Sequence, residues 1–249
     1  MSLLRYRSVG DGPALILLHG FCEAGYIWEN IIPFLSNDFT IYCPDLPGHG
    51  LTPLSDSINS IRDLGALVNR WVQDESITEA TIIGHSMGGY VLLEAIDQQP
   101  GLYSKAGLFH STPLPDSPEK KQNRDKSIKF IQEHGAAPFF DVFIPSLYYR
   151  EGSWKTRLEQ EIRKTSKATL LAYTAWMRDR ADNQHVVKEF GRDFLILAGS
   201  NDEFIPLGSL KDLQTKIDFQ LSVLTGIGHL GMMEDPEASA KIIRDFIVS

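Results

Sequence analysis

Gly84-His85-Ser86-Met87-Gly88 sets a serine between two glycines, at the point where the β-branched run Thr81-Ile82-Ile83 gives way to a helix-like segment. Strand, sharp turn and helix in that order describe a Gly-x-Ser-x-Gly nucleophile elbow. The elbow requires Ser86 in a strained backbone conformation that lifts its hydroxyl clear of the sheet. Side chains at 84 and 88 would collide as strand and helix close on each other, so glycine is needed at both. The helix that begins at Gly88 aims its positive end at the place where an oxyanion would form. An ordinary strand-to-helix turn with a capping serine would use the same residue types, so the rest of the chain must decide between the two.

A serine hydroxyl attacks only when a base takes its proton and a third group orients that base. Of the seven histidines, His229 is the candidate base. It closes the flexible loop Thr225-Gly226-Ile227-Gly228-His229, which follows the last predicted strand. In a parallel sheet that loop falls at the C-terminal edge, where the elbow also lies. The orienting acid belongs at the end of the preceding strand, Phe194-Leu195-Ile196-Leu197-Ala198, which runs into Gly199-Ser200-Asn201-Asp202. Asp202 is chosen, with Glu203 the runner-up. His19, His49 and Asp45 are read as braces of their loops, His85 as an elbow-packing or pocket residue, and His110, His134 and His185 as surface or cap residues.

The elements that must carry these groups follow from the hydrophobic periodicity. Strands are predicted over 14–19, 39–43, 80–84, 106–110, 193–198 and 219–224, each a short apolar run bounded by turn formers. A helix interrupted by Pro33 is predicted over 26–36, an amphipathic helix over 59–75, one following the elbow to about 98, and a last one over 236–248. Strands alternating with helices imply an α/β protein: a mostly parallel sheet flanked by helices. Residues 113–188 break the alternation with helices and no strand, and read as an inserted all-helical cap between core segments 1–112 and 189–249. Cap helices are predicted over 118–134, capped by Ser117 with Pro118 at the first position, and near 137–149, 154–165 and 167–180, with Ser153 and Ser166 as caps. The competing reading makes 113–188 further sheet-covering helices.

The chain resembles the α/β-hydrolase fold superfamily over most of its length. The matching segments are His19-Gly20-Phe21, Pro44-Asp45-Leu46-Pro47-Gly48-His49-Gly50, Gly84-His85-Ser86-Met87-Gly88-Gly89, Gly199-Ser200-Asn201-Asp202, and Gly228-His229 with Glu234-Asp235-Pro236. It is most similar to small esterase-like members with a helical cap. The resemblance implies Ser86 as nucleophile, His229 as base, Asp202 as acid, and an oxyanion hole made by the backbone N–H groups of Phe21 and Met87. Two such donors contribute on the order of several kcal/mol to a transition state. The N-terminal strand pair is trimmed compared with many relatives, and Gly191-Arg192-Asp193 stands where relatives often carry a proline. The serine nucleophile disfavours epoxide hydrolases and haloalkane dehalogenases. Tyr90, where menaquinone-pathway relatives place an arginine, disfavours that assignment.

The expectation is therefore cleavage of a carboxylic ester of a small, largely apolar substrate through an acyl-enzyme. Alternatives are thioester, lactone or C–C bond hydrolysis or perhydrolysis on the same triad, or a non-catalytic ligand-binding protein. Trp28, His85 and Leu230 near the catalytic loops, with Phe140, Phe143, Tyr148 and Trp176 from the cap, are the expected pocket residues; packing of the cap onto the sheet would use the same large side chains. No His, Cys, Asp and Glu set has zinc-ligand spacing and Gly10-Asp11-Gly12 lacks the context of a dinucleotide fingerprint, so no metal and no cofactor are expected. A composition of 43% hydrophobic and 22% charged residues is that of an ordinary globular domain. The net charge of −8, with no basic block, argues against a nucleic-acid partner. The segment Glu119–Lys126 carries both signs and reads as a solvated helix face. No signal peptide and no membrane span are expected. The two cysteines, Cys22 and Cys43, read as free thiols of a reducing, cytoplasmic setting, although a disulfide between them is geometrically possible. The expected partner is a small-molecule substrate, and nothing in the chain signals an oligomeric state.

Overall fold

Apolar runs too short for helices form the middle of a sheet. In the computed structural model, which describes residues 2–249, seven strands pair into one sheet. They are β1 (Tyr6–Val9), β2 (Ala14–Leu18), β3 (Thr40–Pro44), β4 (Ala80–His85), β5 (Tyr103–Phe109), β6 (Phe194–Gly199) and β7 (Gln220–Leu224), in the spatial order β1-β3-β2-β4-β5-β6-β7. Every pairing is parallel except β1 with β3. β4 and β6 are buried along their whole length, as strands covered on both faces must be.

Among the described residues, eleven α-helices accompany the sheet: α1 (Ile32–Leu35), α2 (Ile61–Asp74), α3 (Met87–Gln98), α4 (Pro118–His134), α5 (Ala136–Phe143), α6 (Lys155–Ile162), α7 (Lys167–Arg178), α8 (Gln184–Phe190), α9 (Leu207–Gln214), α10 (Gly231–Glu234) and α11 (Pro236–Val248). α2 packs against α3, and α1 against α11. The apolar stripe of α2, from Ile61 through Leu64, Val68 and Trp71 to Val72, is buried. Among the described residues, no helix is long and apolar enough to cross a membrane.

The order of the strands sets the place of chemistry. After β3 the chain crosses back past β2 to form β4, so the loops leaving β2 and β4 diverge at a switch point on the C-terminal edge of the sheet. His19-Gly20-Phe21 leaves β2 there, and Ser86 leaves β4.

Between β5 and β6 the chain inserts α4 to α8 with no strand. α4 packs on α5 and α7, while α8 returns to α3. Ser117 caps α4 by accepting from Lys120 N–H, and Ser166 caps α7 through Thr169 N–H. Ser153 caps nothing: Trp154 holds the N-cap position of α6 without a side-chain bond. The helix expected over 26–36 divides into a 3-10 turn, Gly25–Trp28, and α1. Pro33 falls in the first turn of α1, where its missing N–H costs nothing. The helix expected near 137–149 ends at Phe143 and passes into a 3-10 turn, Ile144–Ser146. α8 and α9 are short helices that periodicity did not reveal.

Gly84 allows α3 to close on β4. A Cβ there would strike the backbone of Gly88 and Gly89, which cannot move aside. Gly101 offers the matched control, since a Cβ there meets nothing within 4 Å. Gly84→Ala is expected to lower the unfolding free energy by about 2 kcal/mol or more, and Gly101→Ala to change it little. Denaturant midpoints of the two variants would check this, and equal midpoints would contradict it.

Candidate active site

The elbow is built from the backbone. Ser86 sits at φ 48° and ψ −114°, a region that a side-chain-bearing residue occupies only under constraint. Three bonds hold it there: Ser86 N–H donates to Phe109 O at 3.0 Å, Gly89 N–H donates to Ser86 O at 3.0 Å, and Ser111 Oγ donates to Ser86 O at 2.7 Å. Gly88 lets α3 pass over the end of β2, where a Cβ would meet His19 O at 2.5 Å and Leu18 O at 2.7 Å.

His229 and Asp202 meet as the sequence places them. His229 Nδ1–H donates to Asp202 Oδ2 at 2.8 Å, and both residues are buried. The other carboxylate oxygen, Oδ1, accepts from Phe204 N–H at 2.9 Å and Ile205 N–H at 3.1 Å. Glu203, one residue on, is exposed and has no hydrogen bond to His229 among the described residues. Burial alone would raise the Asp202 carboxyl; the His229 charge and hydrogen bonds from His110 and His229 outweigh it and hold the carboxyl well below the usual range. Burial likewise works against a charged His229, but the Asp202 charge and hydrogen bond prevail and raise its pKa above the ordinary value.

His110 is not a surface or cap residue. It follows β5 at φ 49°, fully buried, and its Nδ1–H donates to Asp202 Oδ2 at 3.2 Å. Burial pushes its pKa down to about 4, so it stands neutral beside the carboxylate. His110, Asp202 and His229 form a set whose ligating atoms lie within 4.8 Å of one another. Hydrogen bonds already account for the arrangement, because both Nδ1 atoms donate to the same oxygen.

The loop after β2 is tied from several sides. Glu23 Oε2 accepts from Gly20 N–H at 2.7 Å and from His85 Nδ1 at 2.9 Å. Burial would raise the Glu23 carboxyl, and the His85 charge and these bonds bring it below its ordinary value. His85 Nε2 reaches His229 O at 2.9 Å, so one ring links the loop after β2 to the His229 loop. His19 Nδ1–H donates to Gly20 O at 2.8 Å while its Nε2 accepts from Leu46 N–H at 2.9 Å. His49 Nε2 accepts from Cys22 N–H at 3.2 Å, and Asp45 accepts from Gly25 N–H and Leu51 N–H. Cys22 itself takes φ 65°. Among the described residues, the Phe21 and Met87 amides have no intramolecular acceptor.

Ser86 and His229 face a cavity of about 320 Å³. No hydrogen bond joins Ser86 Oγ to the His229 ring among the described residues. Phe21, Phe143, Leu147, Met177, Phe204 and Ile205 supply apolar lining. Lys120, Asn123, Arg124 and Ser127 of α4 supply a polar wall, with Tyr90 and Asp116. Glu23 and Glu203 complete the lining.

Of the seven pocket side chains expected from sequence, Phe143 alone is part of this lining. Trp28 and His85 are fully buried beneath the loop after β2, Trp28 edge-on to Phe109 at 5.3 Å and to His85 at 6.3 Å. Leu230 and Phe140 are also buried away from the lining. Tyr148 packs on Trp154 at 5.4 Å, and Trp176 on Tyr173 at 4.7 Å. These are packing contacts within the inserted helices. The segment Glu119–Lys126, read as a solvated helix face, is exposed except for the half-buried Arg124, and its Lys120, Asn123 and Arg124 also line the cavity. Their spacing on one helix face was the available signal.

Glu234, in the segment Glu234-Asp235-Pro236, anchors the His229 loop. Its carboxylate accepts from the N–H groups of Gly228, Leu230, Tyr149 and Arg150. His229 N–H donates to Leu147 O at 3.1 Å. The His229 loop is thereby fastened to the segment that ends the 3-10 turn after α5.

The chain is similar to several known proteins. A profile of the family described as the alpha/beta hydrolase family matches residues 15–242. The uncharacterized hydrolase YugF of Bacillus subtilis is 26% identical, with 94% of this chain and 89% of that protein covered. The pimeloyl-[acyl-carrier protein] methyl ester esterase of Methylococcus capsulatus is 25% identical, with 96% of each covered. The solved structure of a thermophilic esterase from Thermogutta terrifontis superposes with a TM-score of 0.89 at 23% identity, covering 98% of this chain and 92% of that one, and so shares the fold.

The His229–Asp202 pairing makes a prediction of definite sign. With Asp202 charged, His229 titrates above about 6.5, the unperturbed value. Asp202→Asn removes the charge and keeps the burial, so the His229 midpoint is expected to fall below about 6.5. An NMR titration of the His229 ring in both proteins checks this, and an unmoved midpoint would contradict it.

Proposed function

The chain belongs to the alpha/beta hydrolase family and is a hydrolase, and from that premise we propose that it cleaves a carboxylic ester of a small, largely apolar substrate through an acyl-enzyme. Ser86, constrained at φ 48° on the elbow and sharing a cavity with a His229 ring paired to Asp202 at 2.8 Å, carries this reading. Neighbours of esterase type among solved structures support it. So does the methyl ester esterase among the curated relatives, whose printed name states its own substrate and not that of this chain.

In the proposed reaction His229 Nε2 takes the Ser86 proton as Oγ attacks the ester carbonyl. Asp202, fixed through both oxygens, keeps Nδ1 protonated and Nε2 free, and stabilises the imidazolium that forms. The unpartnered Phe21 and Met87 amides donate to the developing oxyanion, the second from the N-terminus of α3. His229 then gives its proton to the leaving alcohol oxygen. A water, deprotonated in turn by His229, hydrolyses the acyl-enzyme and restores Ser86. His110 and Glu23–His85 act at one remove, as positioning groups for Asp202 and for the His229 and oxyanion loops.

The helices of 113–188 serve in this reading as a cap, with α8 leading the chain back onto α3. Phe143, Leu147 and Met177 from the cap and Phe21, Phe204 and Ile205 from the core would hold the apolar part of the substrate. Cys22 and Cys43 are buried free thiols, and a cytoplasmic setting belongs to the same proposal.

Exposure to a small fluorophosphonate is expected to add one adduct to the wild-type protein and none to Ser86→Ala, read by intact-mass spectrometry. On short-chain esters Ser86→Ala is expected to lower kcat/KM by roughly 10³-fold or more. Asp202→Asn is expected to lose far more activity than Glu203→Gln. Equal adducts in the two proteins, or undiminished turnover by Ser86→Ala, would refute the assignment.

A further inference from the structure

One wall of the cavity carries more positive charge than its neighbours neutralise. Lys120, Asn123, Arg124 and Ser127 follow the spacing i, i+3, i+4, i+7 on α4 and share one face of that helix, and that face lines the cavity with Ser86 and His229. Arg124 Nε donates to Asp116 Oδ2 at 2.5 Å. Arg180, buried and stacked 4.0 Å over the Tyr90 ring, places Nη1 2.7 Å from Asp116 Oδ1. One carboxylate therefore serves two guanidinium groups. Lys120 has no carboxylate within 4.0 Å among the described residues, and its Nζ donates to Phe204 O at 3.1 Å. The Phe204 ring lies 4.9 Å from the ring of His229, so the free ammonium and the candidate base flank one side chain.

The anions near the cavity have partners of their own, with one exception. Glu23 is paired with His85 at 2.9 Å, and Asp202 with His229 and His110. Asp116 is shared by Arg124 and Arg180. Glu203 is the remaining carboxylate of the lining. The Lys120 ammonium, without a carboxylate partner of its own and one helical turn from Arg124, suits a monoanion.

We propose that this wall is a carboxylate subsite: the substrate is an ester whose short apolar chain ends in a carboxylate, which Lys120 and Arg124 bind while the ester group lies at Ser86. The proposal rests on the ester-hydrolase reading above. The chain between the two ends packs against Phe143, Met177, Phe204 and Ile205. A cavity of about 320 Å³ lies at the small end of ligand sites, roughly 300–1,000 Å³, and so selects a short chain. Lys120 and Arg124 act in binding and orientation, and the chemistry stays with Ser86 and His229.

The test compares 4-nitrophenyl hydrogen glutarate, which carries the carboxylate, with neutral 4-nitrophenyl pentanoate of similar length. At low ionic strength the wild-type protein is expected to favour the anionic ester in kcat/KM by about 10-fold or more. Lys120→Met is expected to lower that preference by about 10-fold, chiefly through KM, and Lys120→Arg to retain most of it. Added salt is expected to erode the preference. A wild-type preference for the neutral ester, or an equal loss on both esters in Lys120→Met, would overturn the subsite and leave the esterase reading standing. If the wild-type protein cleaves neither ester, the esterase reading fails, and calorimetric titration of monomethyl glutarate into the Ser86→Ala protein, with and without Lys120→Met, decides the subsite by itself. Saturable binding weakened by Lys120→Met would then support it. Absence of binding, or tighter binding of methyl phosphate than of monomethyl glutarate, would overturn it.

Discussion

The close approach of α3 to the ends of β2 and β4 is the constraint on which the rest of the structure depends. Gly84 and Gly88 make that approach possible, because at either position a Cβ would strike backbone atoms. The approach leaves Ser86 in a left-handed conformation, a strain of order 1–3 kcal/mol. Phe109 O, Ser111 Oγ and the first turn of α3 hold it there. The same approach brings the loop after β2 under the N-terminus of α3, so that two amides without intramolecular acceptors flank the serine. Strain at one residue and a donor pair beside it are thus consequences of a single packing decision.

Three carboxylates, Asp202 and Glu23 buried and Glu234 half-buried, arrange the loops around that point. Asp202 accepts four hydrogen bonds, two from histidine rings and two from backbone N–H groups. Glu23 ties Gly20 to His85, and His85 continues to the backbone of His229. Glu234 gathers the amides of the His229 loop and of Tyr149 and Arg150. A carboxylate without such donors would be expelled from these positions by its desolvation cost, or would take up a proton. Each one fixes a loop because it must be satisfied there. The loops that carry Phe21, Ser86 and His229 come from distant parts of the chain, and these anions connect them.

Much of this was legible in the sequence because it rests on local rules. The elbow shows itself as two glycines around a serine between a strand and a helix. Asp202 and His229 follow from strand ends in a parallel sheet, and Ser117-Pro118 and Ser166 from helix-capping chemistry. What stayed hidden depends on contacts between distant segments. His110 looked like any histidine after a strand; only the pairing of β5 with β6 places it against Asp202. Trp28 and His85 adjoin catalytic loops in sequence, yet both are fully buried: His85 because a strand end directs successive residues alternately toward and away from the site, Trp28 because the 3-10 turn Gly25–Trp28 packs its ring edge-on to Phe109. Ser153 has the residue type of a cap but stands one position too early to accept from α6. α8 and α9 are too short for a helical period to declare itself.

The polar face of α4 marks the limit of composition as a guide. A helix side rich in Lys, Asn, Arg and Ser looks the same in sequence whether it faces bulk water or a wet cavity, because both solvate charge. α4 buries only Ile131, so its apolar stripe is too weak to set its orientation; packing against α5 and α7 does so instead. That packing places Lys120 and Arg124 along the cavity while most of the helix face stays exposed, so bulk water and the cavity share one polar surface. On the carboxylate-subsite proposal, selection of substrate follows from how a nearly all-polar helix is docked as much as from the apolar side chains that first suggest a pocket.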